Sequence, residues 1–216
     1  MVRLSRYGNL QKYRNPNPLQ RYLLRRFLAR VQALVGPLQN RSVLDVGCAE
    51  GFVLRALQQK MPHSGPLVGI DVDGAALRRG REWHPGISFC QGNALALPFP
   101  DHSFDLVLCL EVLEHLERPR QALREIARVA RYQVLISVPH EPFFRLANLL
   151  RGKHLKRMGD DPEHLHHWGM AGFRRLLQER FLIQALSCPF PWLLALVTPQ
   201  DDARAGRYAP EGTTPR

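Results

Sequence analysis

Residues 43–51 read VLDVGCAEG, a short apolar run broken by Asp45 and then a turn with a small residue at every second position. GFVLRALQQK follows at once with helical spacing. A strand that becomes a helix within one tight turn must bury a face of each element, and the rest of the chain supplies the partners. PLVGIDVD, ISFCQGNA, FDLVLCLEV and YQVLISVP are further apolar runs of strand length. GAALRRGREW and RQALREIARVA read as helices between them, and a helix is expected from about Leu113. Strands alternating with helices imply parallel pairing through right-handed crossovers. FLIQALSC and WLLALVTP are joined by the tight link CPFPW, which implies an antiparallel pair at one end of the sheet.

The expected fold is therefore α/β: a Rossmann-like, doubly wound, mostly parallel seven-stranded sheet with an antiparallel last strand pair. Ahead of it, Leu19, Tyr22, Leu23, Phe27, Val31 and Leu34 recur at helical spacing among arginines and end near Gly36-Pro37. This basic amphipathic helix, 18–36, is read as an N-terminal helical lid, with contact to an anionic membrane as the other use of such a helix. Residues 18–198 make one domain, preceded by a flexible Pro/Asn-rich segment (1–17) and followed by a disordered tail (199–216). Helices are also expected over 142–150 and from Met170 to Glu179.

The chain has 216 residues, 45% of them hydrophobic, enough for one full core. Its formal charge is +11, carried mainly by arginine, since lysines number only four. No acid precedes Asp45, and the stretch from Arg145 to Arg157 also lacks acids. Such a field favours anionic partners. Cys48, Cys90, Cys109 and Cys188 are widely spaced without a C-x-x-C pair, which suits buried free thiols in a reducing compartment. With no signal-type apolar block and no spanning run, a cytoplasmic protein is expected.

The glycine turn sits where open parallel sheets bind ligands, beyond the carboxyl ends of the strands. Small residues there let backbone N–H groups touch the ligand, and Asp71, at the end of the second strand, can accept hydrogen bonds from ribose hydroxyls. The interval from Asp45 to Asp71 is 26 residues, which suits one strand–helix–strand unit. A dinucleotide site wants G-x-G-x-x-G. Here Gly47, Ala49 and Gly51 recur every second residue, and Asp45 stands where a pyrophosphate would lie. That arrangement suits a cationic ligand better than an anionic one.

With these motifs the chain resembles class I S-adenosylmethionine-dependent methyltransferases of the small-molecule type related to ubiquinone-biosynthesis O-methyltransferases. The resemblance covers roughly residues 40–187, through VLDVGCAEG, GIDVD and QGNALALPFPDHSFDLVLCLEVLEHL. It implies S-adenosylmethionine as cofactor. Asp45, Gly47, Cys48, Ala49 and Gly51 would line its methionine end, Ala49 standing where the family usually has glycine. Asp71 would hold the ribose and Val72 the adenine face. Asn93, in a position often held by aspartate, and Ala94 would lie by the adenine edge, with Leu110 and Glu111 near the sulfonium.

Methyl transfer needs a positioned acceptor and a base for its proton. Glu114, His115 and His140 are the candidate catalytic residues. In the quinone-type relatives a similar E-x-x-E-H holds a divalent cation; in members without metal the same residues support the cofactor loop. The chain is read in the second way, with no metal ligand assigned. Residues 140–168 sit where the fold inserts an acceptor-binding cap, with Arg145 and His167 as further pocket candidates. His164, His166 and His167 are read as loop packing, because His-x-His-His is a poor ligand set for one tetrahedral ion.

The expected activity is methyl transfer to a small-molecule oxygen (phenol, quinol, sugar or lipid-linked acceptor, anionic ones included), with no specific nucleic acid and peripheral membrane contact allowed. An RNA or protein methyltransferase is the competing enzyme. Against it, this chain lacks the Asn/Asp-Pro-Pro-aromatic motif, the Pro-Cys nucleophile and an appended RNA-binding module. A non-catalytic S-adenosylmethionine-binding protein and a dehydrogenase are the remaining alternatives.

Overall fold

The computed structural model describes residues 13, 15–60, 65–141, 143 and 164–200. Helices α1 (Pro18–Val35), α2 (Phe52–Lys60), α3 (Gly74–Trp83), α4 (Pro119–Val129) and α5 (Met170–Gln178) flank strands β1 (Val43–Val46), β2 (Leu67–Asp71), β3 (Ser88–Gln91), β4 (Phe104–Leu110), β5 (Ala130–Pro139), β6 (Phe181–Ser187) and β7 (Trp192–Pro199). The sheet runs β3-β2-β1-β4-β5-β7-β6. β1 to β5 pair in parallel, and β7 lies antiparallel between β5 and β6. Strand order reverses between β1 and β4, so their carboxyl ends open a crevice.

Period-two burial divides the core. Leu44, Val46, Val107, Cys109, Val134 and Ile136 face α4 and α5. Val43, Leu106, Leu108 and Leu135 face α1 and α2. Both faces of β1 and β4 are covered, so these strands are apolar throughout except at Asp45 and Asp105. Asp105 anchors the start of β1, accepting from Ser42 N and Ser42 Oγ at 2.9 and 2.8 Å.

Local chemistry explains the helix ends. Asn17 Oδ1 accepts from Leu19 N and Gln20 N at the start of α1, and Pro18 follows at the first helical position. Asp73 caps α3 in the same way through Ala75 N and Ala76 N. The apolar stripe of α1 is built into the second core face, where the Phe27 ring lies 5.0 Å from Trp192. No described helix is long and apolar enough to cross a membrane.

Two expectations change. The helix expected from Leu113 is only a 3-10 turn, Leu113–His115. Its propagation is diverted because Glu114 O accepts from Leu165 N and His166 N, at 2.7 and 3.3 Å, rather than from the next turn. The tail expected from residue 199 also starts later: β7 runs to Pro199, as WLLALVTP reads, and Gln200 N donates to Arg180 O at 2.9 Å. The helix expected over 142–150 lies outside the described residues apart from Phe143, as do most of 1–17 and of 199–216.

Phe173 on α5 is fully buried in the core cluster on the α4 and α5 side of the sheet. Phe173→Ala should cost about 3–5 kcal/mol of stability. Urea denaturation should show this as a lower midpoint with an unchanged slope.

Candidate active site

The turn after β1 is held by the end of β2. Gly47 N and Cys48 N both donate to Ile70 O, at 2.8 and 3.2 Å. Ala49 N donates to Asp71 Oδ2 at 2.8 Å, and Gly51 N to Cys48 O at 2.8 Å. The expectation that these N–H groups reach a ligand is therefore corrected: the chain itself uses them. The small residues matter for another reason. Gly47, Ala49 and Gly51 have φ of +78°, +46° and +79°, in the left-handed region. A Cβ on Gly47 would come within 2.4 Å of Val112 Cγ2, and one on Gly51 within 2.6 Å of the Phe89 ring. The glycines let the turn close on neighbouring elements. Ala49 adopts a left-handed conformation that glycine holds with less strain.

Acidic groups collect at this end of the sheet. Asp45 is buried, and burial, reinforced by the Asp71 charge, pushes its carboxyl up to about 8. Burial also raises Asp71, and the N–H groups of Asp73 and Ala49 oppose that shift. Glu50, fully buried within the turn, is paired with Arg79 of α3 at 2.7 Å. Burial and the adjacent carboxylates push the Cys48 thiol up, so it is neutral and packs against β2 at Gly69.

Tyr13 closes the same region from the chain ahead of α1. Its ring stacks on Phe52 at 4.4 Å, and burial, then Asp45 and Glu111, push its phenol up. Sequence reasoning missed it, because one aromatic in a Pro/Asn-rich stretch carries no periodic signal.

Beside β2, Val72 exposes its side chain at the strand end and Ala94 is buried. Asn93 lies on an exposed loop, where its Oδ1 already accepts from Leu95 N at 2.9 Å. One lone pair and the amide nitrogen remain for other partners. This loop is clamped from α4. Arg128 donates to Leu97 O, Phe99 O and Asp101, and Glu125 accepts from Leu97 N at 2.8 Å. Neither clamp residue is distinguishable in sequence from an ordinary i,i+3 helix pair.

Leu110 ends β4 under the second core cluster, and Glu111 follows with φ +60°. Buried Ser137 of β5 holds it there: Ser137 Oγ donates to Glu111 Oε1 at 2.8 Å, and Glu111 N donates to Ser137 O at 3.2 Å. A non-glycine residue in this conformation is kept in place only by such partners. Glu114 is buried, with Oε1 3.8 Å from His115 Nε2.

His115 and Glu114 converge with His164, and Glu111 stands outside that group. Glu111, Glu114 and His115 thus do not form one ligand set, and the cation suggested by E-x-x-E-H does not fit those three residues. His140, at the end of β5, faces away from that group toward Cys188, with Nδ1 3.0 Å from Sγ, and burial lowers its imidazole. Arg145 lies outside the described residues. An open groove of about 440 Å³ runs between α1 and the β6–β7 link, lined by Arg26, Arg30, Ser187 and Cys188.

Comparison with known proteins agrees with this geometry. Residues 44–137 match the methyltransferase-domain family. A probable S-adenosylmethionine-dependent methyltransferase of Mycobacterium tuberculosis is 32% identical over 120 residues, covering 56% of this chain and 43% of that protein. A ubiquinone/menaquinone biosynthesis C-methyltransferase of Hahella chejuensis is 38% identical over 102 residues, covering 44% and 41%. The chain thus spans less than half the length of these two relatives. A crystal structure of a Pyrococcus horikoshii protein superposes with a TM-score of 0.67 at 21% identity, covering 88% of this chain and 96% of that one, and it supports the fold. The glycine turn on β2 and the paired acids at the switch point thus lie within a span that matches the methyltransferase-domain family, and the proteins similar to this chain include S-adenosylmethionine-dependent methyltransferases.

Proposed function

We propose that the protein transfers a methyl group from S-adenosylmethionine to an oxygen of a small-molecule acceptor. The observation that carries this reading is the pair Asp45 and Asp71, buried or half-buried at the switch point with raised carboxyls. A cationic amino-acid end suits Asp45, and ribose hydroxyls suit Asp71. Exposed Val72 offers a flat apolar contact for a base, and the clamped loop at Asn93 and Ala94 would border it. Tyr13 on Phe52 would act as the closing lid over the turn. When bound, the cofactor supplies an electrophilic methyl on a sulfonium.

The remaining work belongs to the protein. His115, with its ring partly exposed, would take the acceptor's proton, and buried Glu114 at 3.8 Å would orient and stabilise the resulting imidazolium. Glu111, fixed by Ser137, would border the reacting centre. His140, turned toward Cys188, fits a place on the acceptor side better than one in proton transfer. The arginines of α1 along the groove favour an anionic or lipid-linked acceptor. The relative named as a C-methyltransferase makes carbon the competing acceptor atom.

Calorimetry tests the cofactor. S-adenosylmethionine and S-adenosylhomocysteine should bind and NADH should not, and Asp71→Asn should weaken the adenosyl ligands at least about tenfold. Binding of NADH alone would overturn the reading. A screen of phenols, quinols and sugars then tests the acceptor.

The pH dependence follows from Asp45. With its carboxyl near 8, the free protein holds the proton at neutral pH, while an ammonium partner favours the ionised form. Affinity should rise between pH 6 and 8 by at most about tenfold per unit and then level off, with proton release visible across buffers of different ionisation enthalpy. Asp45→Asn should remove that slope.

His115→Ala should lower kcat by about 10²–10⁴ while leaving S-adenosylhomocysteine affinity within about twofold. Single-turnover rates with the identified acceptor would check this.

A further inference from the structure

Two groups of ligand-type side chains share His164. Glu114, His115 and His164 form one; Glu141, His164 and His167 form the other. Within each group the donor atoms all lie within 4.8 Å of one another. The second group joins parts of the chain that lie 23 residues apart in sequence, from Glu141 to His164. Spacing within H-L-H-H-W therefore says nothing of it, since the carboxylate arrives from the end of β5.

The backbone around this group is built rather than loose. His140 and Trp168 form a parallel bridge, and Glu141 N donates to Trp168 O at 3.1 Å. Leu165 N and His166 N both donate to Glu114 O. His166 is committed elsewhere: its Nε2 lies 3.0 Å from Leu116 O, and its ring stacks on Trp168 at 5.3 Å. That commitment leaves His164 and His167 on the side of Glu141. His167 Nδ1 is 3.5 Å from Glu141 Oε1. Two donors each about 2.0–2.2 Å from a tetrahedral ion stand about 3.3–3.6 Å apart, so this pair already has ligand spacing.

We propose that Glu141, His164 and His167 form a three-ligand site for a divalent ion of the zinc class, with water in the fourth position. Two imidazoles and one carboxylate suit zinc, cobalt or nickel and do not suit magnesium or calcium, which prefer all-oxygen sets. The Glu114 group is the poorer host. Glu114 is only 1% exposed and 3.8 Å from its neighbour, whereas the Glu141 side chain is 12% exposed and that of His167 is 36% exposed, open to an incoming ion. An ion here ties the end of β5 to the approach to α5. It also fixes His164 beside His115, at 5.0 Å between ring centroids.

The test uses the full chain, freed of any affinity tag and stripped of metal, titrated with Co²⁺. One Co²⁺ per chain should bind, give the visible absorption of a tetrahedral or five-coordinate ion, and be displaced by Zn²⁺. His167→Ala and, separately, Glu141→Gln should each weaken Co²⁺ binding at least about 100-fold. His115→Ala should leave binding within a few-fold. Circular dichroism and the unchanged thermal midpoint of each metal-free variant confirm that it folds. The proposal is overturned if wild type shows no saturable one-to-one binding, leaving Glu141 and His167 a simple ion pair. It is equally overturned if His167→Ala binds as wild type does, or if His115→Ala loses binding as His167→Ala does, which would move the ion to the other group. None of these readouts depends on methyl transfer.

Discussion

The grip of β2 on the turn after β1 sets the rest of the site. One carbonyl, Ile70 O, takes two N–H groups of the turn, and the Asp71 carboxylate takes a third. Asp71 thereby has two tasks at once, closing the turn and lining the crevice. Gly47 and Gly51 make the closure sterically feasible, because any side chain there would enter Val112 or Phe89. The site's small residues thus serve the packing of the chain against itself before they serve a ligand. Glu50 pairs with Arg79 from beneath and carries this coupling into α3.

A strongly basic chain here concentrates acids at one end of its sheet. Asp45, Asp71 and Glu111 lie at or just after strand ends and Glu114 in the 3-10 turn beyond β4, and burial opposes ionisation of Asp45 and Asp71. Such a cluster has a cost in the free protein that a cationic ligand offsets on binding, which turns local instability into affinity. Four arginines, Arg21, Arg25, Arg26 and Arg30, lie on α1, and Arg26 and Arg30 line its groove.

Beyond β4 the architecture is stitched by contacts distant in sequence. Ser137 of β5 holds Glu111 in a left-handed conformation, and Glu114 O receives the chain returning at Leu165 and His166. The return places His164 between His115 and His167, so the candidate base and the candidate metal group adjoin. His140 is set apart by its contact with Cys188. Residues neighbouring in sequence, His140 and Glu141, thus face different tasks.

Periodicity was enough to read the alternation of strands and helices, the antiparallel last pair and the placing of Asp45, Gly47 and Asp71 at strand ends, because burial on two faces forces apolar runs and a tight strand–helix turn needs small residues. The sequence by itself thereby determined the sheet and its switch point, while the resemblance carried by its motifs pointed to S-adenosylmethionine. Tertiary structure alone decided that the turn's N–H groups are spent on β2, that Tyr13 reaches the crevice, that Arg128 clamps the loop at Asn93, and that Glu111 leaves the E-x-x-E-H set while Glu141 joins His164 and His167. Each of these depends on which distant backbone or side-chain atom occupies a given hydrogen-bonding direction. Local periodicity carries no information about such long-range pairings, which arise only when the packed sheet brings its strand ends and the returning chain together.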